Sequence, residues 1–271
     1  MNDVTWKGAP EEDGPPIGIA GWLRASVRMS IVLVVILIGV VLSIPAMGMD
    51  RVLRTRSAGS IRQIVCVIAL KIVGLRLTVR GAQDRAARLY VANHVSWLDI
   101  FVINGSINGC FVAKSEVRRW PGIGLLARFG GTEFINRGRG ATRDEMLKLD
   151  KSISSGKSLI LFPEGTSSDG LQVLPFRSSM VQMCFRDGWD ARWAVQPVSV
   201  IYHGPKGGDP RFYGWWGDMS FGAHFIKTFA ARRHGHVEVI FHSAQLPAAS
   251  ADRKALTAAL EEAVAAPFTS R

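Results

Sequence analysis

The stretch RLYVANHVSWLDI, residues 88–100, joins a short apolar run to a polar turn. Its first part, 88–93, predicts a β-strand, and the polar residues after it predict the loop at the carboxyl end of that strand. Runs of the same short, apolar and β-rich kind occur on both sides of it, at 77–79, 110–114, 133–136, 158–162, 194–202 and 236–242. From residue 77 onward we therefore expect a domain built on a β-sheet.

Helical segments are predicted between several of these strands, at 116–129, 141–155 and 176–187. Strand–helix alternation at this spacing predicts an α/β fold, with a largely parallel mixed sheet flanked by helices. After the last strand, residues 251–265 predict a short amphipathic helix with Ser250 as its N-cap.

The amino-terminal part of the chain has a different composition. Residues 1–25 are rich in proline, glycine and acidic residues, and we expect them to be poorly ordered. The run 29–49 contains no charged residue and, at about 1.5 Å per residue, is long enough to cross a hydrocarbon core of roughly 30 Å. Segment 61–77 is also apolar, but Lys71 near its middle suits a helix in the membrane interface. Residues 26–76 are therefore expected to form two membrane-associated helices, which either span the bilayer or enter one leaflet.

The charge of the chain agrees with a membrane location. The net charge is +11 and the pI about 10.1, which implies an anionic partner, either nucleic acid or an anionic membrane surface. The apolar run favours the membrane, although a buried core helix is the alternative for that run. Arginines are more frequent after the run than before it, so a spanning helix would keep its carboxyl-terminal side in the cytoplasm.

Clusters of polar residues follow three of the predicted strands, at 94–99, 137–139 and 163–168. In open α/β sheets, functional residues gather in the loops beyond the carboxyl ends of the strands. We therefore expect the three clusters to converge at one edge of the sheet.

The first cluster contains a histidine and a carboxylate. In a regular helix His94 and Asp99 would lie on different faces, so they can meet only if His94 precedes the helix and Asp99 lies in its first turn. Asp99 would then orient the imidazole, and the other ring nitrogen would accept a proton from a hydroxyl. The alternative is a loop histidine beside a helix-capping aspartate.

The other two clusters suit an anionic or hydroxyl-bearing ligand. Arg137 and Arg139 stand between glycines, and the planar guanidinium fits phosphate oxygens, although a solvated pair of surface arginines is the alternative. In the third cluster, Gly165 allows the backbone to approach a ligand closely and Thr166 supplies a hydroxyl donor. Glu164 could bind substrate hydroxyls.

Taken together and in this order, these blocks resemble the glycerolipid acyltransferase family, which includes the 1-acylglycerol-3-phosphate acyltransferases and the lyso-ornithine lipid acyltransferases. The resemblance covers roughly residues 26–245. It divides the chain into an anchor at 26–76, an acyltransferase domain at 77–247 and a carboxyl-terminal helix and tail at 248–271. The matching residues are Asn93, His94 and Asp99 in the first block; Gly131, Phe134, Ile135 and Arg137 in the second; Phe162 through Thr166, with Ser168, in the third; and, loosely, Pro197 in the fourth.

The resemblance implies roles for these residues. His94 would be the general base and Asp99 the residue that orients it. The acceptor would be bound by residues of the second and third blocks together with one lysine, namely Lys114, Phe134, Arg137, Glu164, Gly165 and Thr166. The resemblance implies neither a metal nor an organic cofactor, and it implies no nucleic-acid partner.

The reaction implied is transfer of a fatty acyl group from acyl-CoA or acyl-carrier protein to the free sn-2 hydroxyl of 1-acyl-sn-glycerol-3-phosphate, which yields phosphatidic acid. It would take place at the bacterial inner membrane, with the catalytic domain on the cytoplasmic face. The bilayer, the lysophospholipid acceptor and the acyl donor would then be the partners of the chain.

Two alternatives stand beside this prediction. The tryptophan-rich segment FYGWWGDM, residues 212–219, resembles one in the lyso-ornithine lipid acyltransferases, whose acceptor has no phosphate; a packing or interfacial aromatic cluster would also account for it. A non-catalytic protein that binds anionic lipids is the more distant alternative. A serine hydrolase is disfavoured, because G-x-S-x-G does not occur. The His-Gly-His at 234–236 is interpreted as a surface turn.

Overall fold

The computed structural model describes residues 5–8, 16–53, 55, 57–120, 124, 127–128, 131–135, 149, 151–186 and 188–269. Its seven strands are β1 (Arg76–Arg80), β2 (Ala87–Ala92), β3 (Gly109–Lys114), β4 (Glu133–Ile135), β5 (Ser158–Leu161), β6 (Ala194–His203) and β7 (His236–Phe241). All seven strand regions predicted from the sequence are present.

The strands form one sheet in the order β1-β7-β6-β2-β5-β3-β4. The five strands from β6 to β4 are mutually parallel, whereas β7 runs antiparallel to β6, and β1 is parallel to β7. The expected α/β fold with a largely parallel mixed sheet is therefore confirmed. Because five strands share one direction, their carboxyl ends meet at one edge, which is where the predicted polar clusters begin.

Helices cover both faces of this sheet. They are α1 (Ile19–Leu53), α2 (Ser57–Val73), α3 (Asp99–Ser106), α4 (Phe221–Ala230) and α5 (Arg253–Thr269). In β2, Tyr90 packs into the core on the side of α2, α3 and α4, whereas Leu89 and Val91 pack into the core that contains Leu256 and Leu260 of α5. Burial on both faces explains why β2 is continuously apolar.

Helix α1 is the single helix among the described residues that is long and apolar enough to cross a membrane. Only 17% of its apolar window is buried against the rest of the chain. Large side chains such as Leu37 and Val41 remain 54% and 64% exposed, which is typical of a helix surrounded by lipid. Near its start, Arg24 and Arg28 donate hydrogen bonds to carbonyls at the carboxyl-terminal end of α4, Arg24 to Ala230 and Arg28 to Phe229 and Ala231. These contacts join the apolar helix to the domain that contains the sheet.

Three helix predictions differ from the structure. Of the predicted helix 176–187, residues 176–186 are described, and they contain two short 3₁₀ turns, Ser178–Met180 and Gln182–Phe185, and no α-helix. At the start of this segment, the N–H of Phe176 donates to Glu261 of α5 and the N–H of Arg177 donates to the carbonyl of Pro163. These hydrogen bonds to distant residues fix the backbone of the segment.

The carboxyl-terminal helix also begins later than predicted. Asp252, not Ser250, is its N-cap, because the Oδ1 atom of Asp252 accepts hydrogen bonds from the N–H groups of Lys254 and Ala255, both at 2.8 Å. In the segment 116–129, the first residues belong to a 3₁₀ helix, Ser115–Arg119, where an α-helix was predicted. Of the predicted helix 141–155, the described residues 149 and 151–154 are helical.

Candidate active site

His94 and Asp99 meet at the carboxyl end of β2. The strand ends at Ala92, His94 lies in the loop, and α3 begins at Asp99, so the loop folds back onto the first turn of the helix. The Nδ1 atom of His94 lies 2.7 Å from the Oδ2 atom of Asp99. The N–H groups of Val95 and Ser96 donate to the same oxygen at 2.8 and 3.0 Å. The arrangement leaves Nε2 of His94 as the ring nitrogen available to a substrate hydroxyl.

The second oxygen of Asp99 is bound by a residue that sequence reasoning missed. The hydroxyl of Tyr202, near the end of β6, donates to Oδ1 of Asp99 at 2.8 Å. Asp99 is completely buried. Burial and the neighbouring Asp99 raise the pKa of Tyr202 well above its ordinary value, so the phenol stays neutral and keeps its proton for this bond. Both carboxylate oxygens are therefore satisfied without water.

The imidazole of His94 stacks on Phe162, with ring centroids 4.2 Å apart, and Phe162 stacks in turn on Phe111. The side chain of His94 remains 25% exposed. Aromatic contact on one face and Asp99 at Nδ1 fix the plane of the ring, while its exposed part can reach a substrate.

Glu164 connects the loop after β5, in which it lies, to the loop that carries His94. Its Oε2 accepts a hydrogen bond from the N–H of His94 and its Oε1 one from the N–H of Leu174, both at 3.0 Å. The side chain is 2% exposed. Burial raises the pKa of Glu164 to about 8, although the two backbone donors oppose this shift. The contacts support a role in positioning the His94 loop, and direct contact between Glu164 and the acceptor stays a prediction.

Gly165 and Thr166 follow Glu164 in the loop after β5. Gly165 has φ +75°, a left-handed conformation that favours glycine. The guanidinium of Arg177 lies beside it, since a Cβ atom at Gly165 would be 3.3 Å from the Cζ atom of Arg177. The hydroxyl oxygen of Thr166 accepts a hydrogen bond from the N–H of Trp6 at 3.3 Å. Both predicted binding residues lie between Glu164 and Ser168, which hydrogen-bond to the backbone of His94. Arg177 adds a cation that the sequence analysis did not single out.

Two of the remaining predicted residues, Lys114 and Phe134, lie on β3 and β4, the last two strands in the order of the sheet. Lys114 is the last residue of β3, and it pairs in register with Ile135 of β4 at the shared carboxyl edge. Phe134 is half-buried in β4. The predictions for Arg137 and Arg139 lie outside the described residues. Binding by Lys114, Phe134 and Arg137 therefore remains a prediction.

The side chain of Asn93, which also belongs to the first block, connects two strands of the sheet. Its side-chain amide donates to the carbonyl of Val200 at 2.9 Å and its oxygen accepts from the N–H of Val200 at 2.8 Å. Asn93 thus fastens the end of β2 to β6, which also carries Tyr202.

The tryptophan-rich segment 212–219 is part of the site. The N–H of Trp215 donates to the carbonyl of Val95 at 2.9 Å, and the carbonyl of Trp215 accepts from the hydroxyl of Ser167. Trp216 is 4% exposed and packs against Trp6, with ring centroids 6.2 Å apart. One backbone unit therefore contacts both the His94 loop and the loop after β5, and the segment forms a wall behind them.

Comparison with known proteins assigns this chain to a family. The sequence profile of the family described as Acyltransferase matches residues 76–201. A lyso-ornithine lipid O-acyltransferase from Rhodobacter capsulatus is 40% identical over 97% of this chain and 97% of its own. A 1-acyl-sn-glycerol-3-phosphate acyltransferase from Neisseria meningitidis is 32% identical over 52% of this chain and 54% of its own.

The fold has a solved counterpart. The crystal structure of the 1-acyl-sn-glycerophosphate acyltransferase PlsC from Thermotoga maritima superposes with a TM-score of 0.58 and 23% identity, and it covers 91% of this chain and 97% of its own. At this identity the likeness concerns the fold alone. On the similarity to the R. capsulatus enzyme over nearly the whole chain, the protein belongs to the acyltransferase family and is an O-acyltransferase of the lysophospholipid type.

Proposed function

We propose that the protein transfers a fatty acyl group from a thioester donor, acyl-carrier protein or acyl-CoA, to the free hydroxyl of lyso-ornithine lipid. The observation that carries this proposal is the full-length similarity to the R. capsulatus lyso-ornithine lipid O-acyltransferase. A lyso-ornithine lipid O-acyltransferase from Brucella abortus supports it at 35% identity over 73% of this chain.

The geometry of the site suits attack by a hydroxyl. Nε2 of His94 takes the proton of the acceptor hydroxyl while the oxygen attacks the thioester carbonyl carbon. The carbon–oxygen bond forms, the carbon–sulfur bond breaks, and the proton passes from His94 to the departing thiolate. Asp99 stabilises the imidazolium formed between these steps, and its own oxygens are held by Tyr202 and by the N–H groups of Val95 and Ser96.

The tryptophan-rich wall supports the choice of acceptor. Segment 212–219 lies beyond the residues that the family profile matches, yet it is hydrogen-bonded to the loop that carries His94. A wall in this position can select among acceptor headgroups. Arg177, beside Gly165, offers a guanidinium to either the carboxylate of an ornithine headgroup or a phosphate.

The membrane location follows from α1. Its exposed apolar side chains would lie among the lipid tails, so the domain joined to α1 would be kept at a surface where lipid acceptors are found. We propose that this surface is the cytoplasmic face, on the excess of arginines after residue 50.

Acylation of 1-acyl-sn-glycerol-3-phosphate, which the sequence analysis favoured, is the second candidate. The similarity to the N. meningitidis enzyme supports it, but that similarity spans only about half of each chain. The two acceptors are best separated by kcat/KM values measured on the same purified full-length chain with the same donor. We expect lyso-ornithine lipid to be preferred at least about ten-fold, which corresponds to about 1.4 kcal/mol of transition-state binding. A preference for lysophosphatidate would contradict the proposal.

Arg137 provides an independent discriminator. If the acceptor carries a phosphate that Arg137 binds, Arg137→Ala loses a charge-assisted contact of about 1.5–3 kcal/mol, and the KM for lysophosphatidate rises about ten- to hundred-fold. If lyso-ornithine lipid is the physiological acceptor, we expect Arg137→Ala to raise the KM for lysophosphatidate by less than this. The matched control is Arg192→Ala, which removes an exposed arginine whose partner, Asp190, is two residues away.

A further inference from the structure

A group of metal-binding side chain types lies where β6 and β7 pair, on the face of the sheet opposite Tyr202. His203 and His236 are register partners in the antiparallel ladder, and Glu238 pairs with Ile201 two positions along, on the same face of the sheet. Successive residues of a strand point to opposite faces, so His203 points away from the face on which Tyr202 meets Asp99. The catalytic mechanism uses none of these three side chains.

The three donor atoms already stand close together. Nε2 of His203 lies 2.9 Å and Nε2 of His236 lies 3.5 Å from the same oxygen, Oε1 of Glu238. The two imidazole rings are stacked with centroids 4.0 Å apart and planes 8° apart. The ligand atoms offered by all three residues lie within 4.8 Å of one another.

These distances match the size of a zinc coordination sphere. Zinc–ligand bonds of about 2.0–2.2 Å in a tetrahedron place neighbouring ligand atoms roughly 3.3–3.5 Å apart. The two separations from Oε1, 2.9 and 3.5 Å, are close to this range. Because the two ring planes are nearly parallel, one imidazole has to rotate before both Nε2 atoms point at one ion. Two imidazoles and one carboxylate form a nitrogen-rich donor set, which favours Zn²⁺ over the oxygen-preferring Mg²⁺ or Ca²⁺.

The surroundings support a ligand role for Glu238. Nη2 of Arg80, on the neighbouring strand β1, lies 3.0 Å from the other carboxylate oxygen, Oε2. Ligating carboxylates are commonly held in this way by an outer partner, which orients the free oxygen toward the metal. The side chains of His203, His236 and Glu238 are 34%, 35% and 13% exposed, so an ion can enter and water can fill a fourth position.

We propose that His203, His236 and Glu238 form a Zn²⁺ site that fastens β7 to β6 apart from the catalytic centre. The third histidine of this region, His234, is not a ligand, because its ring nitrogens contact Arg28 at 3.2 Å and Tyr213 at 3.1 Å. A zinc ion would cross-link β6 and β7, where the sheet changes from parallel to antiparallel pairing. It would stabilise the fold through binding to the folded state alone.

The experiment measures zinc bound by the full-length protein in detergent, after any polyhistidine tag has been removed. The protein is stripped with a chelator and dialysed against Zn²⁺, and the metal content and the midpoint of thermal unfolding, Tm, are then determined. We expect about one Zn²⁺ per chain and a higher Tm with Zn²⁺ than without it. The same concentration of Mg²⁺ should leave Tm unchanged.

The variants His236→Gln and Glu238→Gln should each lose the bound metal and the Zn²⁺-dependent rise in Tm. Glu262→Gln, in α5, is the matched control and should keep both. Retained acyl transfer in the two ligand variants shows that they are folded, and His203→Gln takes the place of either variant that is not. Absence of bound Zn²⁺ in the wild type, or equal Zn²⁺ content in the wild type and the folded ligand variants, would overturn the proposal.

Discussion

The hydroxyl of Tyr202 donates a 2.8 Å hydrogen bond to the oxygen of Asp99 that faces away from His94. A residue of β6 thereby supports a dyad built by the loop after β2, and the bond lies where no water reaches Asp99. Burying a carboxylate without partners is costly, so the orientation of Asp99 depends on all of its donors.

We predict that Tyr202→Phe lowers kcat about ten-fold and leaves the KM values for donor and acceptor nearly unchanged. The variant leaves one oxygen of a buried carboxylate without its donor, which costs about 1–3 kcal/mol and loosens the orientation of His94. Steady-state kinetics with each substrate varied in turn provide the measurement.

Tyr90→Phe is the matched control for Tyr202→Phe. Tyr90 is also buried, in β2, but its hydroxyl donates a hydrogen bond to the side chain of Gln83. A loss of kcat of the same size in both variants would show that buried tyrosine hydroxyls act on general stability and not through the dyad.

Glu164 predicts a pH dependence of stability. Its pKa in the folded protein is raised from 4.5 to about 8, so the folded state holds a proton that the unfolded state has released between these two values. The free energy of unfolding contributed by this group is therefore highest below pH 4.5 and falls as the pH rises toward 8. Each tenfold difference in proton affinity corresponds to about 1.4 kcal/mol.

Glu164→Gln should remove this contribution. We expect the Tm difference between variant and wild type to change in favour of the variant as the pH rises from 5 to about 8. Thermal unfolding across that range measures the effect. A constant difference at every pH would mean that Glu164 does not titrate in this range in the folded protein.

Charges on the exposed side of α1 should release the protein from the membrane. Leu37 and Val41 lie one helical turn apart, and each arginine placed near the centre of a spanning helix costs about 2.5–3.5 kcal/mol. We predict that Leu37→Arg with Val41→Arg moves a measurable fraction of the protein out of the membrane pellet. Leu171→Arg, an exposed position of the catalytic domain, is the control and should not.

Substitution in α1 tests membrane attachment better than deletion of residues 1–76. Deletion would also remove α2, whose Cys66 and Leu70 are almost completely buried in the core shared with α3. A soluble but unfolded fragment would then be mistaken for a released enzyme. Full membrane retention of the double arginine variant would contradict a lipid-facing α1.

The sequence predicted the strands and the His94–Asp99 pair because both are local features. Strand regions follow from short apolar runs bounded by turns, and residues five apart can meet through a single loop and helix start. Residues 176–187 were wrongly predicted as helical, because their apolar content agrees with a helix whereas their backbone is bound by Pro163 and Glu261.

Contacts between distant strands could not be predicted in the same way. Tyr202 is separated from Asp99 by about a hundred residues, and His203 meets Glu238 only through the β6–β7 register. The sequence shows His-Gly-His at 234–236, but it does not show that His234 points to Arg28 while His236 faces His203. The sheet register, which depends on the whole fold, decides both outcomes.

The central claim is that His94 is the base that activates the acceptor hydroxyl, and the most direct measurement is acyl transfer by purified His94→Ala. The thioester donor and lyso-ornithine lipid are supplied at saturating concentrations, and the circular dichroism and membrane attachment of the variant are checked against wild type. A positioned general base contributes roughly 10²–10⁴-fold, so the variant should lose at least about a hundred-fold in turnover while remaining folded and membrane-bound. Turnover within a few-fold of wild type in the folded variant would contradict the account.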